Sequence, residues 1–437
     1  MSFRTLAKSI RPLSALLALT LLGSFGPRPA DSSPSLIFVV IDDASWEEFT
    51  ELPLANLQAL APAARIYDRF YTSTTCSPSR AQLQFGRDAH EFLIGSALST
   101  NGSTGVPTTA ISVAELLVAA GYRTAMFGKW HINGAQLPAS VSELPRLHGY
   151  ETWRAGAPGN LLQDGGHYNW FRYDDSQRTV ETTYSTHAVG DAFIDWWQGT
   201  DGPKFACVSF MAPHEPFELA PADLTNGLTF APTARGAYES AMVAIDTKLG
   251  QMAQVIDLSR TYVFLMSDNG TPPEVPPPGT QEQGFKLTQF EGGINVPLVV
   301  WGPSVAPGLD SSLTQINDVP RTALELAAAP IPGQAMTGAI SFVPTLDGGA
   351  PGARPWVYSS RFKPNGGAPS LTTNEWSLVR NDGLKLVRQG SLFPGVDPFL
   401  LYDLAADPFE NALVDDAATV AALLALRDEI LGPGWPY

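Results

Sequence analysis

The chain has 437 residues, 44% of them apolar, enough for one large domain or two smaller ones with a full core. A formal charge of −16 argues against a nucleic-acid partner. Only 16% of residues are charged, below the ~25% usual in globular proteins, and 39 Gly with 37 Pro suit a loop-rich enzyme. Cys76 and Cys207 are the two cysteines, so no disulfide framework is expected even in an exported protein.

Residues 1–30 read as a secretory signal. Arg4, Lys8 and Arg11 form a basic start, and 13–25 is an apolar run shorter than the ~20 residues of a membrane span. Pro29-Ala30 before Asp31 fits a cleavage site; an uncleaved anchor is the alternative. Residues 36–41 form a β-rich apolar run, a buried strand ending in Asp42-Asp43. Adjacent carboxylates repel unless a cation lies between them, and the carboxyl end of a central strand is where α/β sheets bind ligands. A lone Asp-Asp is more often a solvated turn.

Cys76-Ser77-Pro78-Ser79-Arg80 starts a helix that runs to Gly86, since Pro78 suits a first turn. Cys76 then sits at a helix N-terminus, where N–H groups and the dipole favour anions, with Arg80 one turn on. Alone, the stretch reads equally as a buried cysteine at a helix start. Residues 112–121 read as a helix with a Ser cap and a Gly stop, followed by a strand at 123–127. Lys129 and His131, two apart, would share one face of an extended segment. Residues 155–181 look irregular and aromatic, with His167, Tyr168, Trp170, Phe171 and Tyr173 beside Asp174 and Asp175. They read either as a platform for a sugar or aryl ring or as a packed surface loop.

A helix at 182–197 precedes a strand at 205–211, which leads into Ala212-Pro213-His214-Glu215-Pro216; Cys207 lies mid-strand as inert core. After a long helix at 235–257, a strand at 262–266 ends in Ser267-Asp268-Asn269-Gly270. Asp and Asn are hard oxygen ligands, suited to Ca²⁺ or Mg²⁺ and not to Zn²⁺. Leu298–Trp301 is a further strand. Past residue 350 come short strands at 375–380, 384–387 and 399–404, then a helix at 417–430, which together suggest a small antiparallel subdomain.

Cys76-x-Pro78-Ser79-Arg80 resembles the signature of the type I sulfatases of the alkaline phosphatase superfamily, and the resemblance covers nearly all of the chain after residue 35. Residues 121–131 look like the second sulfatase signature. Asp42-Asp43, Pro213-His214, Asp268-Asn269, Gly284-Phe285-Lys286 and Glu291-Gly292-Gly293 also match the family. His148-Gly149-Tyr150-Glu151, Asn317-Asp318-Val319-Pro320 and Tyr402-Asp403-Leu404 resemble its structural segments. Two departures stand out: Leu83-Gln84-Phe85 before Gly86, and Asn295 where the family has Arg.

The resemblance implies an α/β fold, a large mixed and mostly parallel sheet flanked by helices, as a catalytic domain over 31–350, with a small C-terminal antiparallel subdomain over 351–437. It implies that a formylglycine-generating enzyme oxidises Cys76 to formylglycine (3-oxoalanine), whose hydrate attacks sulfur. Asp42, Asp43, Asp268 and Asn269, with residue 76, would hold Ca²⁺, with Mg²⁺ as the alternative. Arg80, Lys129 and Lys286 would surround the sulfate. His214 or Lys286 would protonate the leaving alcohol, and His131 would deprotonate the second hydroxyl so that sulfate is expelled. The expected substrate is a small-molecule or carbohydrate sulfate ester, met in the periplasm or outside the cell, with no nucleic acid and no stable membrane span involved. A phosphodiesterase or phosphonate monoester hydrolase, and a non-catalytic protein that binds sulfated ligands, are the alternatives.

Overall fold

The computed structural model describes residues 33–99, 104–132, 143–163, 165–280, 282–367, 373–390 and 399–432. The segment read as an export signal, residues 1–30, lies outside them. In chain order the strands are β1 (Ser35–Ile41), β2 (Arg65–Tyr67), β3 (Phe70–Tyr71), β4 (Arg123–Lys129), β5 (Thr152–Ala157), β6 (Trp170–Asp174), β7 (Gln177–Glu181), β8 (Lys204–Ser209), β9 (Thr261–Ser267), β10 (Leu298–Trp301), β11 (Gly308–Asp310), β12 (Thr314–Gln315), β13 (Trp356–Arg361), β14 (Glu375–Arg380), β15 (Leu384–Arg388) and β16 (Phe399–Asp403).

The main sheet has ten strands in the order β11-β2-β10-β9-β1-β8-β4-β5-β6-β7. Its centre, β9-β1-β8-β4-β5, is wholly parallel, and β10, β6 and β7 add antiparallel pairings outside it. The uninterrupted apolar run of β1 follows from burial on both faces. Leu36, Phe38 and Val40 pack into one core, and Ile37, Val39 and Ile41 into the other. Helices Cys76–Phe85, Val113–Ala119 and Asp318–Leu326 cover the first face; Ser185–Gly199 and Ala234–Ala253 cover the second.

Local chemistry sets these boundaries. Ser112 Oγ accepts from Glu115 N–H at 3.1 Å while Glu115 Oε2 accepts from Ser112 N–H at 2.8 Å, a reciprocal cap that starts the Val113–Ala119 helix. Gly121, at φ +89, turns the chain out of that helix and into β4. Cys207 is buried in β8 between Phe38 and Met126, as expected of core.

The stretch at 155–181 is more regular than the sequence suggested. β6 and β7 form a hairpin that extends the main sheet. Asp174 and Asp175 accept the backbone N–H groups of Ala155 and Trp153 at 2.9 and 2.8 Å, so these carboxylates pin the hairpin to β5. A second sheet, antiparallel in the order β13-β14-β15-β16, lies C-terminally. Leu423 of helix Ala417–Leu431 packs with its Tyr358, Trp376, Leu378, Leu386 and Leu401. Among the described residues no helix is long and apolar enough to cross a membrane.

Candidate active site

β9, β1, β8 and β4 lie side by side and run parallel, so their carboxyl ends share one edge of the sheet. Each delivers residues there: Asp268-Asn269 after β9, Asp42-Asp43 after β1, Ser209 and then His214 after β8, Lys129 and then His131 from β4. The N-terminus of helix Cys76–Phe85 meets the same edge. Cys76 Sγ lies 3.4 Å from Asp42 Oδ1 and 4.0 Å from Asp43 Oδ1. Asp42, Asp43, Cys76 and Asp268 each present an atom within 4.8 Å of the others, and all four are buried.

Three cationic side chains fold onto this cluster. Arg80 Nε and Nη2 reach Asp268 Oδ2 at 2.9 and 2.7 Å, and Nη2 is 3.3 Å from Asp42 Oδ1. Its Nη1 donates to the Lys129 carbonyl at 3.1 Å and to Ser209 Oγ. Lys129 Nζ contacts Asp42 Oδ2 and lies 3.6 Å from Cys76 Sγ. Lys286 Nζ is 2.6 Å from Asp43 Oδ2. Asn269 Nδ2 donates to Asp43 Oδ1 at 2.6 Å, while its buried Oδ1 has no hydrogen-bond partner. Three carboxylates and an orphaned amide oxygen in one buried place have the chemistry that suits a hard divalent cation.

The electrostatics are correspondingly tense. Burial alone would raise the Asp42 carboxyl, but Lys129 and Arg80 hold it well below the usual range. Burial raises Asp268; Arg80 opposes this, Asp42 and Asp43 add to it, and the group rises to about 7. Lys286 would lose charge on burial, yet Asp43 overrides this and raises it. Burial, with the charge of Lys286, holds His214 down at about 4, opposed by Asp43. Its Nε2 is 3.8 Å from Asp43 Oδ2 and its Nδ1 is 2.9 Å from the Glu215 carbonyl.

His131 departs from the simple expectation. Its φ of +58 takes it out of the extended conformation two residues past the end of β4, yet its ring still meets the charges of Lys129, Arg80 and Asp42. Nε2 is 2.9 Å from the Leu98 carbonyl, and Nδ1 is buried without a partner. Burial, then Lys129 and Arg80, keep the ring well below its ordinary range.

Other contacts were not legible beforehand. Ser209 anchors Arg80, and Tyr238 Oη donates to the Asp43 carbonyl at 2.7 Å. His167 is buried, with Nε2 2.9 Å from the His214 carbonyl and Nδ1 2.7 Å from Ser185 Oγ, so it buttresses the His214 loop. Only the three-dimensional fold brings these together; their sequence separations carry no signal. Asn295 is accommodated: it donates to Glu291 Oε2 at 2.8 Å and accepts from Trp46 Nε1 at 3.3 Å.

The Sulfatase family model matches residues 34–329. N-acetylgalactosamine-6-sulfatase of Mus musculus is 28% identical over 392 residues, 79% of this chain and 72% of that protein. Arylsulfatase A of Homo sapiens is 27% identical over 463 residues, 92% and 86% of the two chains. Among solved structures, Ps i-CgsB in complex with k-i-k-neocarrahexaose superimposes with a TM-score of 0.77 at 21% identity, covering 91% of this chain and 92% of that one. The phosphonate monoester hydrolase of Agrobacterium radiobacter shares the fold with a TM-score of 0.68 at 20% identity, covering 91% and 95%. With a family model spanning most of its length, the chain belongs to the sulfatase family, enzymes that hydrolyse sulfate esters.

Proposed function

We propose that the chain cleaves sulfate monoesters of a sugar or an aryl alcohol at the Cys76 edge of the sheet, after export and after oxidation of Cys76 to formylglycine by a formylglycine-generating enzyme. In this reading residues 31–350 form the catalytic domain and 351–437 the subdomain behind it. The observation that carries it is the convergence of Cys76, three carboxylates and three cationic side chains on one buried point.

Asp42, Asp43, Asp268 and Asn269 would hold one Ca²⁺, with Mg²⁺ as the alternative; the unpartnered Oδ1 of Asn269 supports this. When bound, such a cation lowers the pKa of a coordinated hydroxyl and offsets charge on sulfate. When formed, the hydrated aldehyde at residue 76 supplies a nucleophilic hydroxyl and a second one whose deprotonation releases sulfate. The remaining work falls to the chain. Arg80, fixed by Asp268 and Ser209, presents its guanidinium beside residue 76. Lys129 and Lys286 bring ammonium donors to Asp42 and Asp43 respectively. Three side-chain cations plus a divalent ion outweigh three carboxylates, so the site is positive toward sulfate on a chain of net charge −16. Lys286 Nζ, charged at rest, or His214 Nε2, once it has taken up a proton against the burial that holds the ring at about 4, gives the departing alkoxide its proton, and His131 takes one from the second hydroxyl.

A sulfate monoester has three non-bridging oxygens, and Arg80, Lys129, Lys286 and the cation would surround all three. A phosphodiester carries the same charge but must place a carbon substituent against one of these cations. The test compares kcat/KM on nitrophenyl sulfate, bis-nitrophenyl phosphate and phenyl phosphonate at one pH, followed by a panel of sulfated sugars. The sulfate should win, activity should scale with the aldehyde content of the residue 76 peptide by mass spectrometry, and the thiol form should be inert. Preference for a phosphorus ester would install the hydrolase alternative, and no turnover by aldehyde-bearing protein would install the binding protein.

A further inference from the structure

Away from the carboxylate cluster, contacts from three distant parts of the chain converge on residues 95–98. Asn365, on the turn after β13, brackets this stretch. Its Oδ1 accepts from the N–H groups of Gly95 at 2.9 Å and Ser96 at 3.0 Å, and from Ser96 Oγ at 3.3 Å. Its Nδ2 donates to the carbonyls of Ser96 at 3.2 Å and Ala97 at 3.4 Å. Leu98, the next residue, is held at both ends of its own backbone. Its N–H donates to Ser77 Oγ at 2.9 Å, on the residue that follows Cys76. Its carbonyl is 2.9 Å from His131 Nε2.

A carbonyl has no proton to give, so the hydrogen between Leu98 and His131 must belong to Nε2. The other nitrogen, Nδ1, is buried and has no hydrogen-bond partner. The His131 backbone is equally constrained, at φ +58 with its N–H on the Pro158 carbonyl at 3.1 Å. A non-glycine residue persists in that conformation only where its surroundings over-determine it.

We propose that the 95–98 stretch, bracketed by Asn365 and Ser77, sets the tautomer of His131, with the Leu98 carbonyl taking the Nε2 hydrogen so that Nδ1 is the proton-accepting nitrogen. The inference rests on the reading of His131 as the base and adds Asn365, Ser77 and Leu98 as positioning residues. The ring meets the charges of Lys129, Arg80 and Asp42; burial and the two cations keep it unprotonated at rest. In the base step the O–H bond of the second hydroxyl on residue 76 breaks and an Nδ1–H bond forms, while the electrons of that oxygen close the aldehyde C=O and the C–O bond to the departing sulfate breaks. The Leu98 carbonyl then faces an imidazolium, which it stabilises through the bond already in place. No electron transfer is involved. A turn beyond the catalytic sheet thereby tunes a base on β4's extension.

The tautomer can be read without any converted enzyme. Full-length protein carrying the Cys76 thiol and ¹⁵N-labelled histidine should show His131, assigned by its loss in His131→Gln, with a pyrrole-type Nε2 and a pyridine-type Nδ1. Asn365→Ala and, separately, Ser77→Ala should mix the two tautomers, whereas Asn365→Asp, which keeps the acceptor for Gly95 and Ser96, should stay nearer the parent. In converted enzyme Asn365→Ala should lower kcat about tenfold or more with KM little changed, as expected when a catalytic group is displaced. An Nδ1–H tautomer in the parent, or an unaltered Nε2–H tautomer in both alanine variants, would overturn the inference. Failure of the underlying reading looks different: His131→Gln would turn over as fast as the parent while the tautomer data stood.

Discussion

Asp268 is pulled two ways, toward protonation by burial and by Asp42 and Asp43, toward ionisation by Arg80, and it comes to rest at about 7. A divalent cation among these carboxylates would drive off that proton. Cation uptake should therefore release protons on the acid side of neutrality, and affinity should weaken as pH falls through about 7. Elemental analysis should find one Ca²⁺ or Mg²⁺ per chain, lost in Asp268→Ala together with activity. Stoichiometric zinc in an active preparation, or full activity of that variant without metal, would refute the assignment. His214 poses a separate question of role. A nitrophenolate leaves without a proton and a sugar alkoxide does not. His214→Ala should thus cost ~10²–10⁴-fold on a sugar sulfate, the usual range for acid–base help, and much less on nitrophenyl sulfate. Equal losses on both would make Lys286 the donor and His214 a positioning group. The identities of these residues could be read from the motif segments around them. Their protonation could not, because it depends on neighbours such as Asp43 and Lys286, 171 and 72 residues away from His214 along the chain.

Among the elements, β4 shows how backbone geometry aims a side chain. Its pairing with β5 shifts register between Phe127 and Lys129, and Gly128 in the bulge has φ +80. A Cβ there would lie 2.0 Å from the Ser209 carbonyl, on the residue whose hydroxyl anchors Arg80. Gly128→Ala must then separate β4 from β8, adding a steric penalty to the roughly 1–2 kcal/mol of left-handed strain. The melting temperature should fall by several degrees and activity should fall more than stability alone explains. A variant with parental melting and parental kcat would show that the bulge does not position Lys129. The central strands were legible because β1, β8 and β9 are apolar runs buried on both faces. The β6–β7 hairpin was not: its turn uses Asp175 at φ +52 with no glycine, and the aromatic residues around it obscure any alternation.

Across the whole molecule, a buried ionic knot helps tie the second sheet to the main body. Lys385 Nζ of β15 lies 2.8 Å from both Glu291 Oε1 and Glu410 Oε1, with both its own and the Glu410 side chain fully buried. Glu410 Oε2 accepts the Glu291 N–H at 2.7 Å, and Tyr71 Oη donates to Glu291 Oε2 at 3.0 Å. Glu291 opens the short helix Glu291–Ile294, five residues beyond Lys286, so the knot braces the Lys286 loop. The sequence hid this: Lys385 lies between Leu384 and the core residue Leu386, and alternation along β15 would turn it to solvent. Its face turns instead onto the main body. Lys385→Met would leave two buried carboxylates without their cation, an imbalance of about 3–5 kcal/mol. Burial already raises Glu410, with Lys385 acting against that rise, so Glu410 should titrate higher still in the variant. A raised folded-state pKa favours folding at low pH and loses that advantage as pH increases. The stability deficit in urea unfolding should accordingly be large at pH 8 and shrink toward pH 5, and adding Glu291→Gln with Glu410→Gln should recover much of it. A deficit independent of pH, or none at all, would mean that apolar packing of the second sheet, and not this knot, holds the two parts together.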